Sequence, residues 1–359
     1  MTKENNRKPN DTLSFPISTA PVGRKITTDF LHVPHLLVGG AVGYGKSVFL
    51  HVLVCSLVRE HSPDEVRFVL IDPKQVEFGE YGRLPHLIGP VVTNTDQAVA
   101  AVQWALAEAE RRNAVVAEAG CSDIDEFNAR NSGMAFPHVV IACDESFDLL
   151  FERAETMEPA LLRLAAEGGT AGIHLVLATS RTSGPSNFTD EILSAIPGHM
   201  VFKQMDAWNW GRMLEPSDEV VREARALVKR RGDAIWQAPS GERVFIHAPF
   251  LPSSDVERIV GAASAKYPGT SEEGPWKGIK SQAEACEAAR PGSMEDIEAL
   301  YARAKQAVQE SGLAAAHLLQ RRLGVAHSDA LWLLALLEAR HVIGPERGDG
   351  PREILQEGE

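Results

Sequence analysis

Eight residues constrain this chain more than any others: Gly40-Ala41-Val42-Gly43-Tyr44-Gly45-Lys46-Ser47. They fit G-x-x-x-x-G-K-[ST], the phosphate-binding loop. The apolar segment His35-Leu36-Leu37-Val38 before them reads as a buried strand, and residues 48–59 after them carry an apolar helical pattern (Phe49, Val52, Leu53, Leu57). Strand, glycine turn and helix is the setting in which the pattern acquires a mechanism. Glycines let the backbone curl so that its N–H groups point inward at phosphate oxygens, and the helix start adds its positive dipole end. Lys46 is then placed to reach the β- and γ-phosphates, and the Ser47 hydroxyl to bind Mg2+.

A chain of 359 residues, 44% hydrophobic and 24% charged, has enough apolar material for a sizeable core and suggests two domains. Its net charge of −13 argues against a surface that clings to nucleic acid throughout, while leaving room for a basic channel within an acidic particle. Cys55, Cys121, Cys143 and Cys286 have neither metal-ligand nor disulfide spacing, which suits reduced thiols in a cytoplasmic protein. No apolar run approaches the ~20 residues a membrane helix needs, and no signal peptide is legible.

Residues 1–11 are polar and read as a disordered tail. From residue 12 to 263 apolar strands alternate with helical patterns. Residues 66–72, 137–143 and 173–178 are continuous apolar runs of the kind found in parallel strands buried on both faces. Residues 200–202 and 243–247 are further short strands. Asn94-Thr95-Asp96-Gln97 resembles a capping box opening a helix that Gly120 stops, and another helix is predicted over 155–167. The fold class is therefore α/β, a parallel sheet covered by helices. Residues 264–293, rich in Gly, Pro, Ser and Glu, read as a linker. Residues 294–359 return to helical periodicity and end in a hairpin pattern, the plan of a winged helix.

Asp144 ends a predicted strand, where it is suited to holding Mg2+ opposite Ser47. Glu145 follows directly, placed to take a proton from an attacking water. Thr179 and Ser180 end the next strand, either as sensors of the γ-phosphate or as ordinary strand-end hydroxyls. Asp72 and Lys74 either line the same edge or form a surface pair of small worth.

These residues resemble the FtsK/SpoIIIE family of double-stranded DNA translocases. The segment from Pro34 into the phosphate loop is similar to its P-H-L-L-V-A-G entry, and Ile71-Asp72-Pro73-Lys74 to its I-D-P-K. Asp144-Glu145 with Asp148-Leu149 resembles its D-E-F-A-D-L, and residues 171–179 repeat A-G-I-H-L-V-L-A-T. The tail is similar to the family's γ winged helix through Leu300-Tyr301, Leu318-Leu319-Gln320-Arg321-Arg322-Leu323 and Arg352-Glu353-Ile354-Leu355. The resemblance implies a RecA-like P-loop ATPase motor over 12–263, closing into a homo-hexameric ring around double-stranded DNA and hydrolysing ATP with Mg2+. It covers no membrane domain and little of the family's ring-forming α region, which suggests a stand-alone cytosolic motor or a fragment of one.

The sequence also departs from that pattern. Ser180 stands where the family has the glutamine of A-T-Q-R-P, and Glu167-Gly168-Gly169-Thr170 where it has K-A-R-A, a basic stretch at the subunit boundary. An arginine acting across that boundary would then come from elsewhere, Arg181 and Arg212 being candidates. In the tail, Ala326-His327-Ser328-Asp329-Ala330-Leu331-Trp332 replaces the DNA-reading G-Y-N-R-A-A-R. Residues 294–359 hold seven Lys/Arg against eleven Asp/Glu, which is not the footprint of a DNA reader. Arg321 and Arg322 either touch phosphates or form a solvated helix face. The apolar residues 331–337 suit a contact with a protein partner, or else a thoroughly buried helix. A second expectation follows: an ATP-binding ring scaffold that hydrolyses weakly and recruits a partner through its tail.

Overall fold

The computed structural model describes residues 13–18, 26–180, 188–268, 274–276, 294–311 and 316–325, with positions 314, 330, 333–334, 336–337, 340, 342–343 and 354. The N-terminal tail read over residues 1–11, Arg181, Cys286, residues 326–329, Leu331, Trp332 and most of the linker span lie outside them. The chain divides into two units, Met1–Gly278 and Ile279–Glu359.

The first unit opens with an antiparallel pair, β1 (Ser14–Ser18) and β2 (Ile26–Asp29). The order then runs β3 (Leu36–Gly39), α1 (Lys46–Glu60), β4 (Val66–Ile71), α2 (Thr95–Glu118), α3 (Ile124–Arg130), β5 (His138–Cys143), α4 (Ser146–Glu167), β6 (Ile173–Thr179). It continues α5 (Asp190–Ala195), β7 (Gly198–Phe202), α6 (Ala207–Met213), α7 (Asp218–Leu227), β8 (Asp233–Gln237), β9 (Arg243–His247), α8 (Ser253–Lys266). One seven-stranded sheet has the order β4-β5-β6-β3-β7-β8-β9. Its first five strands are parallel, and β3, β6 and β7 are buried at every residue, which is why they appear as unbroken apolar runs rather than alternating ones. Helices α1 and α8 pack together, as do α2 and α4, with α4 also against β6.

Because the five strands are parallel, the loops leaving them share one edge of the sheet. The order reverses at β3, whose neighbours β6 and β7 both come later in the chain. A crevice at such a reversal is where open α/β sheets bind ligands. The β4 edge is covered by residues 86–92, which bond to Phe68 and Leu70 (Ile88 N–H to the Phe68 carbonyl at 3.0 Å, Val92 N–H to that of Leu70 at 2.8 Å).

Asn94 caps helix α2 as expected, its side chain accepting from the Gln97 N–H at 2.9 Å, while the Gln97 side-chain Oε1 accepts from the Thr93 N–H, one residue before the cap, at 3.2 Å. Helix α4 is longer than the predicted 155–167. It starts at Ser146, directly after the strand tip, and leaves helical geometry at Arg153. Its N-terminus has no side-chain cap, so the usual signal for a helix start is missing. Strands β8 and β9 form an antiparallel arm that extends the parallel sheet. β8 was not among the predicted strands. Helix α8 runs on to Lys266, into the span read as linker, and Trp276 is buried with its indole N–H on the Pro90 carbonyl at 3.0 Å.

The second unit holds α9 (Met294–Ser311) and α10 (Ala316–Leu323). Ala304, Val308 and Leu319 are buried with Leu333, Leu334 and Leu337 in a core of their own. Of the apolar residues 331–337, Leu333, Leu334 and Leu337 therefore contribute to the packing of their own unit. Ile343 pairs antiparallel with Ile354, where the hairpin was expected.

Candidate nucleotide site

Residues 40–47 join β3 to α1, and Lys46 is the first residue of the helix. The loop sits against its neighbours through its backbone: the Gly40 N–H donates to the Thr179 carbonyl at 3.3 Å and the Ala41 N–H to that of Lys203 at 2.7 Å. A Cβ at Gly40 would lie 2.6 Å from the Cβ of Phe202, so only glycine fits. Gly45 has φ 121°, a conformation that side chains strain to adopt. Lys46 is 5% exposed, and its ammonium donates to the Ala41 carbonyl at 3.4 Å across the loop.

A cleft of about 680 Å3 lies over this loop. Ser47, Lys74, Glu77, Asp144 and Glu145 line one part of it. Val42, Arg231, Gly232, His247, Pro249 and Phe250 line the rest. Glu145 has φ 53°, the left-handed region, at the junction of β5 and α4. Its carboxylate accepts from the Ser180 N–H at 3.1 Å and the Ser180 hydroxyl at 2.8 Å, with the Lys74 ammonium 3.9 Å away. The Ser180 hydroxyl thus holds Glu145. Thr179 is buried at the end of β6.

The electrostatics are those of an anionic cluster around one buried cation. Burial pushes the Asp144 carboxyl up to about 7, Glu145 and Glu77 push the same way, and Lys46 opposes them. Burial also lowers the Lys46 ammonium from its usual value, against the pull of Glu145 and Asp144. Asp144 Oδ1 is buried without a hydrogen-bond partner. An orphaned carboxylate oxygen sharing a cleft with the Ser47 hydroxyl is a set of oxygen donors of the kind a hard divalent cation takes. Among the described residues no three acidic, His or Cys side chains form a complete metal cage.

The family now follows from comparison. The FtsK/SpoIIIE family profile matches residues 1–184, half of the chain, and the Ftsk gamma domain profile matches residues 295–357. The chain belongs to the FtsK/SpoIIIE family. It is 32% identical to the DNA translocase FtsK of Streptococcus pneumoniae over 99% of this chain and 46% of that one. It is 30% identical to the DNA translocase SftA of Bacillus subtilis over 93% of this chain and 34% of that one. The chain spans less than half the length of these relatives. Among solved structures it resembles the conjugation coupling protein TcpA with ATPγS, at TM-score 0.60 and 20% identity over 73% of each chain. It also resembles the cytoplasmic domain of the Type VII secretion ATPase EccC of Thermomonospora curvata, at TM-score 0.61 and 22% identity over 75% of this chain and 32% of that one. The shared fold is that of a RecA-like P-loop ATPase.

Against the FtsK/SpoIIIE pattern, the structure places Asp72 differently from the line-the-edge expectation. It is 1% exposed and clamps the following loop, accepting from the Glu77 and Phe78 N–H groups at 2.8 and 2.9 Å. Lys74 does reach the cleft. Arg212 pairs with Asp190 at 2.5 Å and donates to the Phe188 carbonyl, so its guanidinium is engaged within this chain. Arg322 is exposed on α10, and the side chain of Arg321 lies outside the described residues. Sequence reasoning missed Glu77 and the wall formed by residues 231–232 and 247–250. Glu77 lies on a loop with no local pattern to mark it; Ser47, His51 and Cys55, four residues apart on α1, show only that one helix face carries groups able to bond. Ser180→Ala is expected to lower ATP turnover about tenfold, the scale of one hydrogen bond to a carboxylate. Nucleotide affinity should not change, and steady-state hydrolysis alongside equilibrium binding would separate the two.

Proposed function

We propose that this chain is the motor of an ATP-driven double-stranded DNA translocase, working as a homo-hexameric ring with ATP and Mg2+. The observation that carries the reading is the cleft in which the phosphate loop faces Asp144 and Glu145 from a strand two places away in the sheet. In this reading residues 40–47 cradle the phosphates and Lys46 neutralises the β- and γ-oxygens. Ser47 and Asp144 are the ligands for Mg2+, which when bound draws charge from the triphosphate. Glu145, oriented by Ser180, accepts the proton of the attacking water. Thr179 positions the strand tip beneath it. DNA as the track is supported by membership of the family and by relatives described as DNA translocases.

A second reading, the ATP-binding scaffold, is favoured by one observation: the Ser180 hydroxyl is already engaged by Glu145 and is shorter than the family's amide. Steady-state ATPase measurement with and without duplex DNA decides between them. The motor predicts turnover that rises many-fold with DNA. Turnover that stays at background, with ATP bound, leaves the scaffold. Removing residues 294–359 is expected to leave non-specific duplex binding largely unchanged, because that segment carries more acidic than basic residues. Loss of duplex binding on that deletion would assign DNA contact to the tail after all, Arg321 and Arg322 first.

A further inference from the structure

Glu77 enters the cleft on the loop after β4, and everything around it is fixed. The Asp72 carboxylate holds its N–H, Gln75 turns the loop through a left-handed φ of 55°, and Phe78 and Tyr81 are fully buried just beyond it. Its carboxylate shares the cleft with Ser47 and meets His51 Nε2 at 3.4 Å. His51 lies one turn along α1 from Ser47, and its Nδ1 is 2.9 Å from the Tyr81 hydroxyl, which in turn is 3.4 Å from Cys55 Sγ. His51 and Cys55, on the same face of α1 as Ser47, are thus laced to Glu77 and Tyr81 on the facing loop.

A serine hydroxyl has one proton and two lone pairs. With its proton donated to Glu77, Ser47 would have only acceptor capacity left for the cleft, which suits a cation and not a phosphate oxygen. We propose that Glu77 is a positioning residue for the divalent cation: it orients the Ser47 oxygen toward the ion and adds a negative charge behind it. His51 and Tyr81 hold Glu77 in that pose, as outer partners of metal ligands do elsewhere. The inference rests on the reading that Mg2+ binds between Ser47 and Asp144.

The test is equilibrium binding of a fluorescent ATP analogue to the full chain, first in excess EDTA and then across a Mg2+ titration. Glu77→Gln keeps the size and an acceptor oxygen but removes the charge. It is expected to bind the analogue in EDTA no more weakly than the unsubstituted chain, yet to need about tenfold more Mg2+ for half-maximal tightening. Glu77→Asp, with the charge retained, should fall between the two. An unchanged Mg2+ midpoint in Glu77→Gln overturns the proposal. So does an equal loss of affinity in EDTA and in Mg2+ with a lowered melting temperature, which would make Glu77 a loop brace only. Absence of any Mg2+ effect in the unsubstituted chain overturns the cation reading itself, and the proposal with it.

Discussion

Glu145→Gln is expected to lower ATP turnover by about 10²–10⁴-fold while nucleotide affinity is kept. Glutamine matches glutamate in size, and its amide oxygen can still accept from the Ser180 N–H and hydroxyl, so the side chain stays where the carboxylate was. The backbone at φ 53° is strained equally by either residue. What is removed is the carboxylate's charge, facing Lys74 and Asp144, and with it the ability to take a proton. Single-turnover hydrolysis with bound nucleotide is the decisive measurement, since it separates chemistry from product release. Turnover within a few-fold of the unsubstituted chain would sink the assignment of Glu145 as base and shift attention to the phosphate loop alone. If instead affinity falls together with turnover, the carboxylate serves mainly to shape the site.

Asp144→Asn is expected to do two opposite things. Without metal it should stabilise the protein at about pH 8 by roughly 4 kcal/mol, and it should weaken Mg2+-dependent nucleotide binding by at least tenfold. Burial first, then Glu145 and Glu77, raise the Asp144 carboxyl from 3.8 to about 7. Between those values the folded chain keeps a proton that the unfolded chain has released. The stability contribution of this group is therefore lost as pH rises through that window, and at alkaline pH its full penalty remains. Asparagine carries no charge to desolvate, so the gain should be near zero at about pH 4 and largest above neutrality. Urea unfolding in EDTA at both ends of the range tests this. A variant less stable than the parent at about pH 8 would mean that the orphaned Asp144 oxygen is not a strained group awaiting a cation. Holding a charge that destabilises the empty fold is what a ligand site does when function is placed before stability.

Much of this was legible before any coordinates. A phosphate loop is a local object: its glycines, lysine and serine lie within eight residues, and the flanking strand and helix carry their own patterns. The parallel strands were legible because burial on both faces leaves continuous apolar runs, and α2 because its cap is written in Asn94 and Gln97. The start of α4 was not, since it follows the strand tip with no capping side chain. Nor was β8, which gains its definition from two antiparallel partners, four of its residues pairing with β7 and all five with β9.

The chain alone determined that a nucleotide-binding α/β unit precedes a small helical one, and it named Lys46, Ser47, Asp144 and Glu145, because those roles depend on residue type and on short-range spacing. Tertiary structure decided what each of them touches. That Ser180 grips Glu145, that Asp72 shapes a loop and leaves the cleft to Glu77, and that Arg212 is held by Asp190 are contacts between residues far apart in sequence. Such contacts are set by how strands are ordered in the sheet, and strand order is fixed by the packing of the whole unit, which no local pattern encodes.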